Sequence, residues 1–212
     1  MSPIGLSRRR PREVSLEEGA APDAARCPAC GEPLFVWIET EGFGPREDQV
    51  IDRCENCGLV AERGTVPSAE VALEELSGRV PNAASLQAWL GAENWAALRP
   101  GDHGLKLTPR AAELLFAKRG LEASRIRYVA GAGIASMWQT LLNLLTFHRD
   151  FASEAASGRL RPGSGRGRAA YAIDVMVTIL AGIPTAILAV LLESGAVLAR
   201  RGGVIEVTAA RR

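Results

Sequence analysis

At 212 residues the chain has room for one ordinary domain, or one small domain with a modest second one. A hydrophobic share of 47% excludes a chain that is disordered throughout, and aromatics at only 5% leave any core to aliphatic side chains. The net charge of +1 conceals an asymmetry: residues 1–100 carry 10 basic and 16 acidic side chains, a net of −6, and residues 101–212 carry 15 and 8, a net of +7. The second half suits an anionic surface, or the halves are two solvated faces of opposite sign.

Residues 1–26 are polar and rich in Pro, Gly and Ala, and they predict a disordered tail. Arg8-Arg9-Arg10 is followed by no apolar run, so a secretory signal is not expected and the expected location is cytoplasmic. In residues 27–62, Leu34–Ile38 and Gln49–Arg53 read as two strands around a loop at Glu41–Pro45. A short helix is predicted from Ser68 to Gly78, and a second from Asn82 to Gly91 through Leu86, Trp89 and Leu90. Thr108 and Pro109 open a third, with Ala111, Leu114 and Leu115 as its buried stripe and Lys118-Arg119-Gly120 at its end.

Arg125–Val129 and Gly203–Thr208 alternate as strands. Between them, Ala130-Gly131-Ala132-Gly133 reads as a plain turn, and Ile134–Phe151 as a long amphipathic helix with Trp138, Leu141, Leu142, Leu145 and Phe151 inward. Arg159–Arg168 reads as a basic loop. It leads to an apolar helical segment at 171–199, in which the 18 residues Val175–Leu192 carry no charge. As a helix they extend about 27 Å, close to the roughly 30 Å of a bilayer core. Gly182 and Pro184 at the centre predict a break, hence an apolar hairpin dipping into one leaflet, with the 159–168 loop on anionic headgroups. The competing reading is a helix pair buried in a soluble core.

All four cysteines fall in two Cys-x-x-Cys-Gly turns: Cys27, Cys30 and Gly31, then Cys54, Cys57 and Gly58. Each turn presents two thiolates, and its glycine supplies the positive φ the turn needs. Four sulfurs suit the tetrahedron that zinc prefers and leave no position for a reacting water, so the zinc is expected to be structural. A redox dithiol pair and a rubredoxin-type iron site are the alternatives. The ribbon carries Glu32, Glu39, Glu41, Glu47, Asp48, Asp52 and Glu55 against Arg46 and Arg53, so nucleic acid is not the expected partner. His103, beside Asp102, is the one candidate catalytic base, against a plain surface histidine.

Several segments resemble one family. Arg53-Cys54-Glu55-Asn56-Cys57-Gly58-Leu59-Val60 is similar to the N-terminal ribbon of bacterial class I S-adenosylmethionine-dependent methyltransferases. Val80-Pro81-Asn82 with Ser85 resembles the end of that family's fifth strand. Trp95, His103 and Leu107-Thr108-Pro109 resemble its following Trp, His and Phe-Thr-Pro segment, although the usual Pro-Arg-His is Gly-Asp-His here. Ala112–Leu121 resembles the helix before strand six, and Arg125–Val129 with Val204–Thr208 would be strands six and seven, an antiparallel pair. The resemblance implies an α+β fold: a small four-cysteine zinc ribbon, then at 63–212 a truncated Rossmann-like methyltransferase C-terminal portion with long apolar helices. The family's acidic-Gly-x-Gly cofactor loop is missing, since only 22 residues separate Cys57 from Val80. The expectation is a protein that does not bind S-adenosylmethionine alone and serves as a partner- or membrane-binding accessory. The alternatives are an active methyltransferase completed by a partner chain, with His103 as base near the acceptor, and a nucleic-acid-binding ribbon.

Overall fold

A computed structural model describes residues 25–40, 49–64, 78–99, 104–158, 160 and 166–211. The expected tail, the 41–45 loop, the Ser68 helix and His103 with Asp102 lie wholly or mostly outside the described residues. Strands β1 (Leu34–Thr40), β2 (Gln49–Cys54), β3 (Val60–Glu62) and β5 (Leu105–Lys106) form one antiparallel sheet in the order β1-β2-β3-β5. Strands β4 (Arg79–Pro81), β6 (Leu121–Tyr128) and β7 (Val204–Arg211) form a second, with β7 central and antiparallel to both neighbours. A parallel bridge between Asn82 and Leu107 joins the sheets; every named ladder among the described strands is antiparallel. The fold is thus mixed helix and antiparallel sheet, as the α+β expectation required. The ribbon sheet does not stop at Glu62, because Val60 and Ala61 pair with Lys106 and Leu105.

Helix α1 (Leu86–Gly91) starts four residues later than predicted. Asn82 is spent on a turn instead: its Oδ1 accepts the Ala84 N–H at 3.0 Å, and its Nδ2 donates to Gly202 O at 2.8 Å. Ser85 is the true cap, accepting the Ala88 N–H. Helix α2 (Pro109–Ala117) has Thr108 as its cap and buries Ala111, Ala112, Leu115 and Phe116, while the expected Leu114 is only partly buried.

The glycine pair at 131 and 133 is not a turn. Both lie within helix α3 (Ala130–Asn143). The predicted run to Phe151 breaks after Asn143, and a short helix α4 (Phe151–Ala156) follows. The break is held by Asp174, fully buried, whose carboxylate accepts the Phe147 and His148 N–H groups at 2.7 and 2.9 Å and contacts His148 Nδ1 at 2.6 Å. Leu141, Leu142 and Phe151 are buried as expected, but Leu145 is half exposed because the helix has ended before it.

The predicted hairpin is also corrected: Arg166–Leu198 is one 33-residue helix, α5, with Pro184 inside it. Proline removes one helical hydrogen bond, and the surrounding carbonyls find other donors. Thr185 Oγ1 donates to Ala181 O at 2.6 Å, and Trp138 Nε1 from α3 donates to Gly182 O at 2.9 Å. Helix α3 runs antiparallel to α5, with Gly133 against Glu193, Trp138 against Gly182 and Phe147 against Asp174.

Candidate functional site

The four cysteine sulfurs lie within 4.8 Å of one another, and three of the four residues are buried. The two turns are built alike. In the first, Gly31 N–H donates to Cys27 O and Cys27 N–H to Glu32 O, both at 2.8 Å. In the second, Gly58 N–H donates to Cys54 O and Cys54 N–H to Leu59 O, again at 2.8 Å. Gly31 and Gly58 take the positive φ values, 84° and 74°, that the motif predicted. Strands β1 and β2 pair Leu34 with Cys54, which sets the second turn beside the first.

Helix α2 clamps the site from one side, a feature the cysteine spacing did not reveal. At its start, Thr108 Oγ1 donates to Cys57 O while it accepts the Ala111 N–H. Just past its end, Lys118 Nζ donates to Pro28 O at 2.7 Å. The cap signal at Thr108 was legible, but its second bond to the ribbon was not. Gly58 packs so closely on Thr108 that a Cβ there would lie 2.8 Å from the threonine methyl.

Sulfur separations test the fit to a metal. Cys27 and Cys57 sulfurs are 3.5 Å apart, and those of Cys30 and Cys54 3.3 Å. A tetrahedral ion with metal–sulfur bonds of about 2.3 Å needs sulfurs about 3.8 Å apart, which lies between these two separations and the 4.8 Å that bounds the set. The electrostatics agree. The Cys27 thiol is lowered to about 5 by its hydrogen bond with Cys57, against burial and helped by the Cys30 and Ala29 N–H groups. Cys57 is pushed up by the same bond and by burial, and Cys54 is raised chiefly by burial. In the metal-free site the Cys27–Cys57 pair therefore shares a proton between its sulfurs, and Cys54 keeps its own. A cation must displace those protons. Metal loading at pH 7 is expected to release at least two protons per chain, measured as buffer-dependent heat in calorimetry, and the affinity to rise as pH rises.

No protein-family model, curated protein or solved structure matches the chain. The four-sulfur cluster thus stands on its own geometry.

The ribbon's acidic residues divide on inspection. Asp52 is buried and bound in a two-pronged pair by Arg63, at 2.7 and 3.0 Å, so it adds no surface charge. Arg53 stacks over Trp37 at 5.3 Å. Glu41, Arg46, Glu47 and Asp48 lie outside the described residues. So does most of the expected basic loop, while Arg168 stands exposed near the start of α5.

Helix α5 is long and apolar enough, by length and composition, to cross a membrane. Its packing is inverted relative to a helix on a water-soluble core. The side chains it buries are Asp174, Thr185, Ala189, Glu193 and Ala196. The side chains it exposes are large and apolar, including Ile179 and Leu180 at 71% and Ile183 at 74%. Both of its carboxylates turn inward, and no charged side chain stands on its outer face between Arg168 and Arg200. The 18-residue apolar run was legible in sequence; which side of it would be covered was not.

Proposed function

We propose that the chain is a zinc-stabilised, membrane-associated accessory protein of methyltransferase-like descent, with no cofactor site of its own. The inverted packing of α5 carries the reading. A water-soluble helix turns its large apolar residues inward, and exposed apolar patches beyond a few hundred Å² mark interaction sites. Here small and polar residues face the protein while Ile, Leu and Met face outward.

Zinc is the metal the donor set favours: four thiolates in two glycine-closed turns, with no oxygen ligand and no open position. Cys27, Cys30, Cys54 and Cys57 would hold it, and its role there is to tie the two turns together. The methyltransferase reading is supported by the order β4-β7-β6, since the resemblance assigns those strands as five, seven and six and makes the last two an antiparallel pair. The cofactor half has no counterpart in the 22 residues between Cys57 and Val80.

Vesicle flotation tests the membrane part: the zinc-loaded protein should rise with liposomes, and a protein that stays at the bottom of the gradient excludes it. Titration with S-adenosylmethionine should give no binding heat; tight binding would exclude the cofactor-free part.

A further inference from the structure

We infer that α5 lies flat on an anionic lipid surface, embedded by its outer face in one leaflet, and does not cross the bilayer; this rests on the membrane reading above. Chain connectivity carries the inference. Strand β7 follows α5, yet it is the middle strand of a sheet whose other members, β4 and β6, precede α5. A single crossing would put β7 on the opposite side of the membrane from both partners and undo every bond of that sheet.

A double crossing, with α3 as the first leg, would keep the sheet together. Helix α3 is not free to enter lipid, however. Residues 86–98 are layered on it as well: Gln87 Nε2 donates to Gly133 O at 2.7 Å, Ala96 N–H to Thr140 Oγ1 at 3.1 Å, and Asn143 Nδ2 to Asn94 O at 3.1 Å. That covering layer exposes Glu93 and leads into Arg99, which pairs with buried Asp150 at 3.1 Å. Moving these charges to the bilayer centre is strongly unfavourable. The outer face of α5 is left for the hydrocarbon.

Lying flat accounts for the charges as well. Exposed Arg168 stands near one end of the helix, and exposed Arg200 and Arg201 just beyond the other, which ends at Leu198 about 45 Å away along the helix. In the plane of the membrane both ends of the helix, with these exposed arginines, lie at the headgroup level. A second copy of the chain suits the face less well. Paired helices in water use a narrow apolar seam flanked by charges, and this face is broad and uncharged on both flanks.

The test uses the full-length zinc-loaded chain and preformed sealed vesicles, either phosphatidylcholine alone or mixed with phosphatidylglycerol. Flotation is expected with the anionic vesicles, and Arg200→Gln with Arg201→Gln should weaken it about 25-fold, at about fivefold per arginine. Ile183→Glu with Ile187→Glu, both at exposed positions, should abolish it while leaving one zinc per chain and the circular dichroism spectrum unchanged. Trypsin added outside should then give the same fragments with and without detergent. A fragment protected until detergent is added would overturn the flat orientation and leave the membrane reading standing. Equal binding to both vesicle types would overturn the role of the arginines. Absence of flotation, or a soluble dimer dissolved by the Ile183→Glu pair, would overturn the membrane reading itself.

Discussion

Stripping the proposed zinc from the chain is expected to unfold far more than the ribbon. A structural zinc contributes on the order of 10 kcal/mol to the folding of a small cysteine site, comparable with the whole stability of a typical domain, about 5–15 kcal/mol. The ribbon here has no core to itself. Cys27, Cys54, Cys57 and Leu59 share one hydrophobic cluster with Leu105, Leu107 and Leu115, and that cluster continues through Val80 and Ile205 into the second sheet. Strand β3 pairs with β5, and α2 is tied to both cysteine turns through Thr108 and Lys118. Loss of the metal should therefore melt both sheets and α2 together. Circular dichroism during titration with a strong chelator should show one cooperative loss of strand signal with about one zinc released per chain. A loss confined to a small fraction of the signal would show the ribbon to be independent. Cys54→Ser, at a fully buried position, should reproduce the effect without chelator.

Gly133→Ala is expected to cost about 3 kcal/mol, the upper end for overpacking a filled core. A Cβ at Gly133 would lie 2.0 Å from Glu193 Oε1 and 2.6 Å from its carboxyl carbon. A flexible acid on a surface would swing aside, but Glu193 is fully buried and held at both oxygens, by Gln87 Nε2 and the Gly203 N–H, each at 2.7 Å. Displacing it strands both donors. The urea midpoint should fall accordingly, and an unchanged midpoint would show that α3 and α5 are not locked there. The same carboxyl makes stability depend on pH. Burial raises it above its ordinary value of 4.5, against the hydrogen bonds from Gln87 and Gly203. The native state then holds the proton more tightly than the unfolded chain, so this contribution is complete below about pH 4.5 and is lost as pH rises through the raised value. Urea midpoints of Glu193→Gln should lack that part of the pH dependence, which appears as a difference from the unaltered chain.

What could be read in advance was local. The Cys-x-x-Cys-Gly repeats carry their own turn geometry, because a positive φ after the second cysteine demands glycine. Thr108-Pro109 announces a helix start through a side-chain acceptor and a fixed φ. The alternation at 125–129 and 203–208 marks strands, and these pair. Three expectations failed for non-local reasons. Pro184 did not break α5, which runs through it while packed on α3 from Asp174 to Glu193. Gly131 and Gly133 did not form a turn, because the space at Gly133 is filled by a side chain 60 residues away in the sequence. The helix expected to run to Phe151 stopped at Asn143, because Asp174 captures the N–H groups of Phe147 and His148.

By itself, then, the sequence determined the two cysteine turns, most strand positions and the uncharged run Val175–Leu192, since each depends on residues close together in the chain. Only the tertiary structure decided what those parts face. It set β7 between strands that precede α5, it turned the two carboxylates of α5 inward and its isoleucines outward, and it laid α2 across both cysteine turns. Each of these rests on contacts between residues distant in the chain. Hydrophobicity alone does not rank such contacts, because an apolar residue is equally well placed against a protein core or against lipid.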